Sequence, residues 1–134
     1  MMDSDTKLIR RIVTAGAPAP AGHYSQAVVH AGIVYVAGQV ALDPKTGEKR
    51  LGSIEEQTEQ ALRNVGAILR AAGSDFGRVL KMTIYISEPH FWGPVNATFA
   101  RIMGEHRPAR AVIPIKQLEG GYQVEIDAVA ALSY

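Results

Sequence analysis

Apolar and polar positions recur along this chain with two different periods, and each change of period marks an element boundary. From residue 54 to 72, Ile54, Thr58, Ala61, Leu62, Val65, Ile68, Leu69 and Ala72 recur three and four apart, which predicts a helix with one buried stripe. Ser53-Ile54-Glu55-Glu56 at its start reads as a capping box, with the Ser53 hydroxyl on the Glu56 amide. Gly73 supplies a left-handed exit. Glu59 and Arg63, four apart, pair on the wet side. A second helix is predicted from Gly93-Pro94 to Gly104, with Val95, Phe99, Ile102 and Met103 inward and Pro94 in its first turn. Elsewhere the period is two. Strands are predicted for Lys7 to Thr14, Ser25 to Ala31, Ile33 to Val40, Val79 to Ser87, Ala109 to Gln117 and Tyr122 to Leu132. The second and third form a hairpin across Gly32, and Glu119-Gly120-Gly121 turns between the last two.

Three strands, a helix, a strand, a helix and two strands make an α+β pattern: a single six-stranded mixed sheet with two helices on one face. Six strands at ~4.8 Å spacing span about 25 Å. Two helices of ~10 Å diameter cover one face and leave the other bare. Yet Ile33, Tyr35 and Ala37 alternate with Val34, Val36 and Val40, and Leu80, Met82, Ile84 and Ile86 back onto Val79, Thr83 and Tyr85. A bare apolar face of that size predicts a closed homo-oligomer packed through the sheet. Direct antiparallel pairing of the last two strands would put Arg110 opposite the region of Val129, four residues or ~13 Å from Glu125. A site using both is then most easily completed across a subunit interface.

The chain has 134 residues, which fits one domain over 1–134 with a substantial core. Fourteen Lys and Arg against 13 Asp and Glu leave no bulk field toward nucleic acid or a membrane surface. No apolar run nears the ~20 residues that span a bilayer, and the polar start Met1-Met2-Asp3-Ser4-Asp5 is unlike a signal peptide. The absence of cysteine removes disulfides and thiolate chemistry. A cytoplasmic location is the default expectation. His23, His30, His90 and His106 lack metal-ligand spacing, and there is no phosphate-cradling glycine loop, dinucleotide fingerprint or nucleophile elbow. No metal or cofactor is expected.

Candidate chemistry concentrates in two segments. In Arg107-Pro108-Ala109-Arg110-Ala111-Val112-Ile113-Pro114, Arg110 interrupts a run that otherwise reads as buried strand. A desolvated guanidinium needs an anion, either a structural partner such as Glu125 or Asp127 or a ligand carboxylate gripped by its fork. In Val124-Glu125-Ile126-Asp127-Ala128, two carboxylates share a face with Gln123 and Val129. They are either a solvated outer face on an edge strand or a partly dry pair able to orient water or move a proton. Tyr24 is either a rim residue or a ligand contact. Gly38, inside a strand, marks a bulge or a close approach. Phe91 and Trp92 read as packing residues, since no basic groove surrounds them.

Taken in order, Gly22-His23-Tyr24-Ser25-Gln26-Ala27, Gly38-Gln39, Asp43-Pro44-Lys45-Thr46-Gly47, Gln57-Thr58, Val95-Asn96, Pro108-Ala109-Arg110 and Val124-Glu125-Ile126-Asp127-Ala128 resemble the Rid family, also called YjgF-type or L-PSP proteins. The resemblance covers about Val13 to Ala131. It implies a chorismate-mutase-like fold, a homotrimer with ligand clefts between subunits, and cofactor-independent hydrolysis of enamines and imines such as 2-aminoacrylate to 2-keto acids and ammonia. By the same resemblance Arg110 binds the substrate carboxylate, Glu125 orients water, Tyr24 lies in the cleft, and Gly38 and the main chain at Val112 line the ligand. Asn96 matches a recurrent asparagine read as structural. His23, Ala37, Ala111 and Val112 depart from the usual pattern, and the stretch before Pro108 is short. These changes bear on the pocket wall rather than on the reaction. Two other readings stand beside it: a non-catalytic binder of small carboxylates or 2-keto acids, and a deaminase for a larger unsaturated amino acid of the aminomuconate type. Ribonuclease action finds little support, with no histidine pair and no basic stripe.

Overall fold

β1 (Arg10–Ile12), β2 (Ala27–His30), β3 (Ile33–Gln39), β4 (Val79–Ile86), β5 (Ala109–Pro114) and β6 (Val124–Ala131) form one sheet. Their order is β1-β2-β3-β6-β4-β5. The structure is a computed structural model that describes residues 8–133, so Lys7, where the first strand was expected to begin, lies outside the described residues. Every neighbouring pair is antiparallel except β4 and β5. Those two run parallel because a helix carries the chain back between them. The sheet is therefore six-stranded and mixed, as the pattern predicts.

The helices are α1 (Ile54–Ala72) and α2 (Trp92–Met103). α1 starts as its sequence requires: the Ser53 side chain accepts from the Glu56 amide at 3.1 Å. It ends at Gly73, whose φ of 92° is the left-handed exit. Its buried stripe and that of α2, with Val95, Phe99 and Met103, close on Val34, Val36, Met82, Ile84, Ile126 and Ala128 to make one apolar core. Buried polar side chains then tie loops to this core. Asn64 donates to the carbonyl oxygens of Val40 and Leu42. Gln57 donates to the Gln123 side chain and accepts from its amide. Gln123 thus turns toward α1, not onto the face of Glu125 as simple alternation suggested.

Three further expectations are corrected. The last two strands do not pair directly, because β4 lies between them. The segment joining them contains a short turn in which Gly120 and Gly121 both have positive φ, and it returns the chain to the sheet interior rather than to the neighbouring strand. Consequently β6 is an interior strand, not an edge. In β4 the register with β6 shifts between Val79 and Lys81. This bulge reverses the alternation there, so Val79 is buried and Leu80 exposed.

The hairpin between β2 and β3 turns on Ala31 and Gly32, with φ of 51° and 79°. Both central residues lie in the left-handed region that a two-residue turn of this hand needs. Ala31 is the only non-glycine with positive φ among the described residues. Ala31→Asn is expected to stabilise the fold by ~0.5–1 kcal/mol, since asparagine tolerates that conformation better. An unmoved urea midpoint would count against this turn assignment.

The face of the sheet away from the helices is uncovered within one protomer. Tyr35, Leu80 and Ile113 stand exposed there, with Tyr35 at 50%. Val28, Ala37, Thr83, Tyr85, Ala111 and Val129 are only half-buried.

Candidate active site

Arg110 lies on the helix side of the sheet. Strand register sets it beside Met82, and Met82 beside Ala128, both buried against the helices. Its guanidinium turns toward α2, where Nη1 donates to the Asn96 Oδ1 at 2.8 Å. Cζ lies 4.9 Å from the Phe99 ring centre and 5.7 Å from that of Trp92. Trp92, Asn96 and Phe99 are four and three residues apart, so one face of α2 builds the whole cradle. Such aromatic contacts favour the cation by ~0.5–2 kcal/mol and fix its plane. Asn96 accepts one of five guanidinium N–H groups. Among the described residues no carboxylate lies within 4.0 Å of Arg110. The ion pair with Glu125 or Asp127 left open by the sequence is therefore not formed. Beside the guanidinium opens a hollow of about 540 Å³, with Asn96, Phe99, Met103, Arg107 and Arg110 in its wall.

Glu125 occupies the opposite face. β6 alternates strictly, with Val124, Ile126, Ala128 and Ala130 buried and Glu125, Asp127 and Val129 outward and half-buried. Glu125 pairs with Tyr85. On its other side its carboxylate covers Gly38, where a Cβ would come 2.6 Å from Oε2. β3 carries an extra residue between Val36 and Gln39 at this point. The bulge and the missing side chain together make room for the carboxylate.

Burial raises the Glu125 carboxyl above its usual range, and the neighbouring Asp127 charge adds to the rise. Burial also raises Asp127, opposed by hydrogen bonds from Thr83 and by the Lys81 charge. For an acid whose folded value is raised, the folded state holds its proton more tightly than the unfolded chain. The stability this contributes is present below the unfolded value and lost as pH rises through the folded one. Ionising these two carboxyls therefore costs the fold some of its stability, which marks the pair as a functional candidate.

Within one protomer Arg110 and Glu125 do not meet. They sit two strands apart, three residues apart along the strands, and on opposite faces. That places their Cα atoms ~14 Å from each other.

The remaining expected site residues are scattered. Tyr24 is 53% exposed, in a loop before β2 where its hydroxyl accepts from the Ala21 amide at 3.2 Å. The buried Gln26 holds this region by bonding the Thr14 amide and the carbonyl oxygens of Thr14, Ala17 and Pro18. Val112 lies on β5, the sheet edge, half-buried and paired with Ile84. Phe99 and Trp92, packing residues by their sequence pattern, share with Asn96 the helix face that their four- and three-residue spacing signals. Arg107 precedes the strand in a polar stretch, and no local pattern distinguishes it from an ordinary surface arginine. Among the described residues no cluster of three or more metal-ligating side chains occurs, and no helix is long and apolar enough to cross a membrane.

The family described as Endoribonuclease L-PSP matches residues 14–132. The human protein named 2-iminobutanoate/2-iminopropanoate deaminase is 40% identical over 126 residues, covering 93% of this chain and 92% of the human one. A structure of a conserved Rid protein family member from Yersinia pestis superposes with a TM-score of 0.90 at 35% identity, covering 93% of this chain and 100% of the other. TdcF of E. coli with bound serine gives a TM-score of 0.88 at 31% identity over 92% of this chain and 99% of its own.

Proposed function

The chain belongs to the L-PSP, or Rid, family, and we propose that it hydrolyses reactive enamine and imine intermediates of the 2-aminoacrylate kind to 2-keto acids and ammonia. The observation that carries this reading is Arg110: a guanidinium oriented by Asn96, Phe99 and Trp92, without a carboxylate partner among the described residues, beside a hollow. A substrate carboxylate supplies the anion that such a fork takes in two parallel hydrogen bonds. The human relative named as an imine deaminase, and the E. coli relative that binds serine, support a small amino-acid-derived ligand.

The chemistry needs little from the protein. An enamine first tautomerises to its imine. Water then adds to the imine carbon, giving a carbinolamine, and loss of ammonia leaves the 2-keto acid. Arg110 fixes the carboxylate and hence the imine carbon. Glu125, as carboxylate, accepts a hydrogen bond from the attacking water and takes its proton. Proton return to the nitrogen completes the balance. The imine carbon is already electrophilic, so positioning and one base suffice.

Because Arg110 and Glu125 face opposite sides of the sheet, the reading includes a closed homotrimer of the chorismate-mutase-like kind. In it each cleft takes Arg110 from one protomer and Glu125 from its neighbour. The uncovered face carrying Tyr35, Ile113 and Val129 supports packing through the sheet. Tyr24, Gly38 and the main chain at Val112 complete the cleft wall, within one Rid-type domain over 1–134. The direct test generates imines in place with an amino-acid oxidase and follows ammonia and keto acid release. No gain over buffer would sink the reading.

The raised Glu125 carboxyl makes a second expectation. Activity should climb with pH as Glu125 ionises, along a limb above the ordinary 4.5. Asp127→Asn removes the neighbouring charge and should move that limb to lower pH. A limb in kcat/KM that stays in place after this substitution would mean that another group controls it.

A further inference from the structure

The hollow beside Arg110 is more cationic than a monocarboxylic imino acid requires. Its wall carries two guanidiniums, Arg107 and Arg110, together with His106 and Asn96, and among the described residues no carboxylate. Arg107 forms no salt bridge among the described residues. Its side chain is exposed, while its backbone is constrained by both neighbours. The His106 ring is fixed where Nε2–H donates to the Val79 carbonyl oxygen at 2.7 Å. On the other side Pro108 restricts the backbone of residue 107 to extended conformations. The two arginines are three positions apart in the chain, so their Cα atoms are at most ~11 Å apart. Within one protomer these like charges share a concave wall without a counter-charge, and the single carboxylate that the proposed trimer brings in, the neighbour's Glu125, leaves the wall net positive and suited to a dianion.

We propose that this hollow selects imino acids bearing a second carboxylate, with Arg110 holding the α-carboxylate and Arg107 the distal one. The inference rests on the deaminase reading and names its substrate class. A five-carbon dicarboxylic imine, such as arises when a glutamate-type amino acid is oxidised, spans the two forks. The second acid group is a carboxylate rather than a phosphate, because the substrates of this reaction derive from amino acids. His106 stays a positioning residue here, since its Nε2 is committed to the main chain.

The test compares 2-oxoglutarate with 2-oxobutanoate, by calorimetric binding to the full-length protein and by turnover of the corresponding imines. The wild type should favour the dicarboxylate by about tenfold or more. In Arg107→Glu that preference should vanish or reverse, while Arg107→Lys should keep part of it. Equal affinity for both ligands in the wild type overturns the proposal, as does a preference that survives charge reversal. The parent reading fails differently, through absence of turnover of any imine. In that event the dicarboxylate preference is still decided by keto acid binding.

Discussion

Arg110→Ala is expected to abolish measurable ammonia release from 2-aminoacrylate while leaving the fold and the oligomer intact. A desolvated, hydrogen-bonded charge pair is worth about 2–5 kcal/mol when one partner is removed, which corresponds to a loss of roughly 30- to 5,000-fold in kcat/KM. Folding should tolerate the change. Arg110 stands on the edge strand β5, outside the apolar core, and the one side-chain hydrogen-bond partner of its guanidinium among the described residues is the half-buried Asn96. Arg110→Lys should recover little. An ammonium cannot grip a carboxylate with two parallel bonds, and it matches the Phe99 and Trp92 faces less well. Steady-state kinetics with circular dichroism and sedimentation separates these effects. An unchanged rate removes Arg110 from the mechanism.

Tyr35→Lys is expected to dissociate the assembly and take the activity with it. Tyr35 projects from the uncovered face, beside Val28 and Val129, and is half exposed in the protomer, so the protomer itself should fold. Burying an unpaired ammonium between subunits costs several kcal/mol, enough to outweigh a typical interface contact. Sedimentation should show monomers, and imine hydrolysis should fall to background. A mixing experiment sharpens the point. Arg110→Ala and Glu125→Gln proteins, each inactive alone, should regain activity when unfolded together and reassembled. In a random mixture about a quarter of the clefts would pair an intact arginine with an intact glutamate from the neighbour. Complete absence of recovery would place both groups in one subunit's cleft, against the ~14 Å separation across the sheet.

Much of this architecture is local and therefore legible in the chain. α1 is written into its buried stripe, its Ser53 cap and Gly73, and its observed bounds match the predicted ones. The strands are mostly shorter than predicted, because the sequence pattern continues into residues that leave the ladder, such as Lys116 and Gln117. Arg110 and Glu125 stood out because a charge in a strand of apolar neighbours is conspicuous without any coordinates.

What sequence alone determined, then, was the set of elements, the α+β class and the identity of the chemically unusual residues, since periodicity, capping and turn chemistry act over a few neighbouring positions. Tertiary structure alone decided where those residues meet. The insertion of β4 between β5 and β6 sends Arg110 and Glu125 to opposite faces. The Glu125 carboxylate explains the glycine at position 38, and α2 turns Trp92, Asn96 and Phe99 toward a strand that begins six residues after the helix ends. Strand order is settled by which apolar surfaces bury one another across long stretches of chain, and no local pattern encodes that choice.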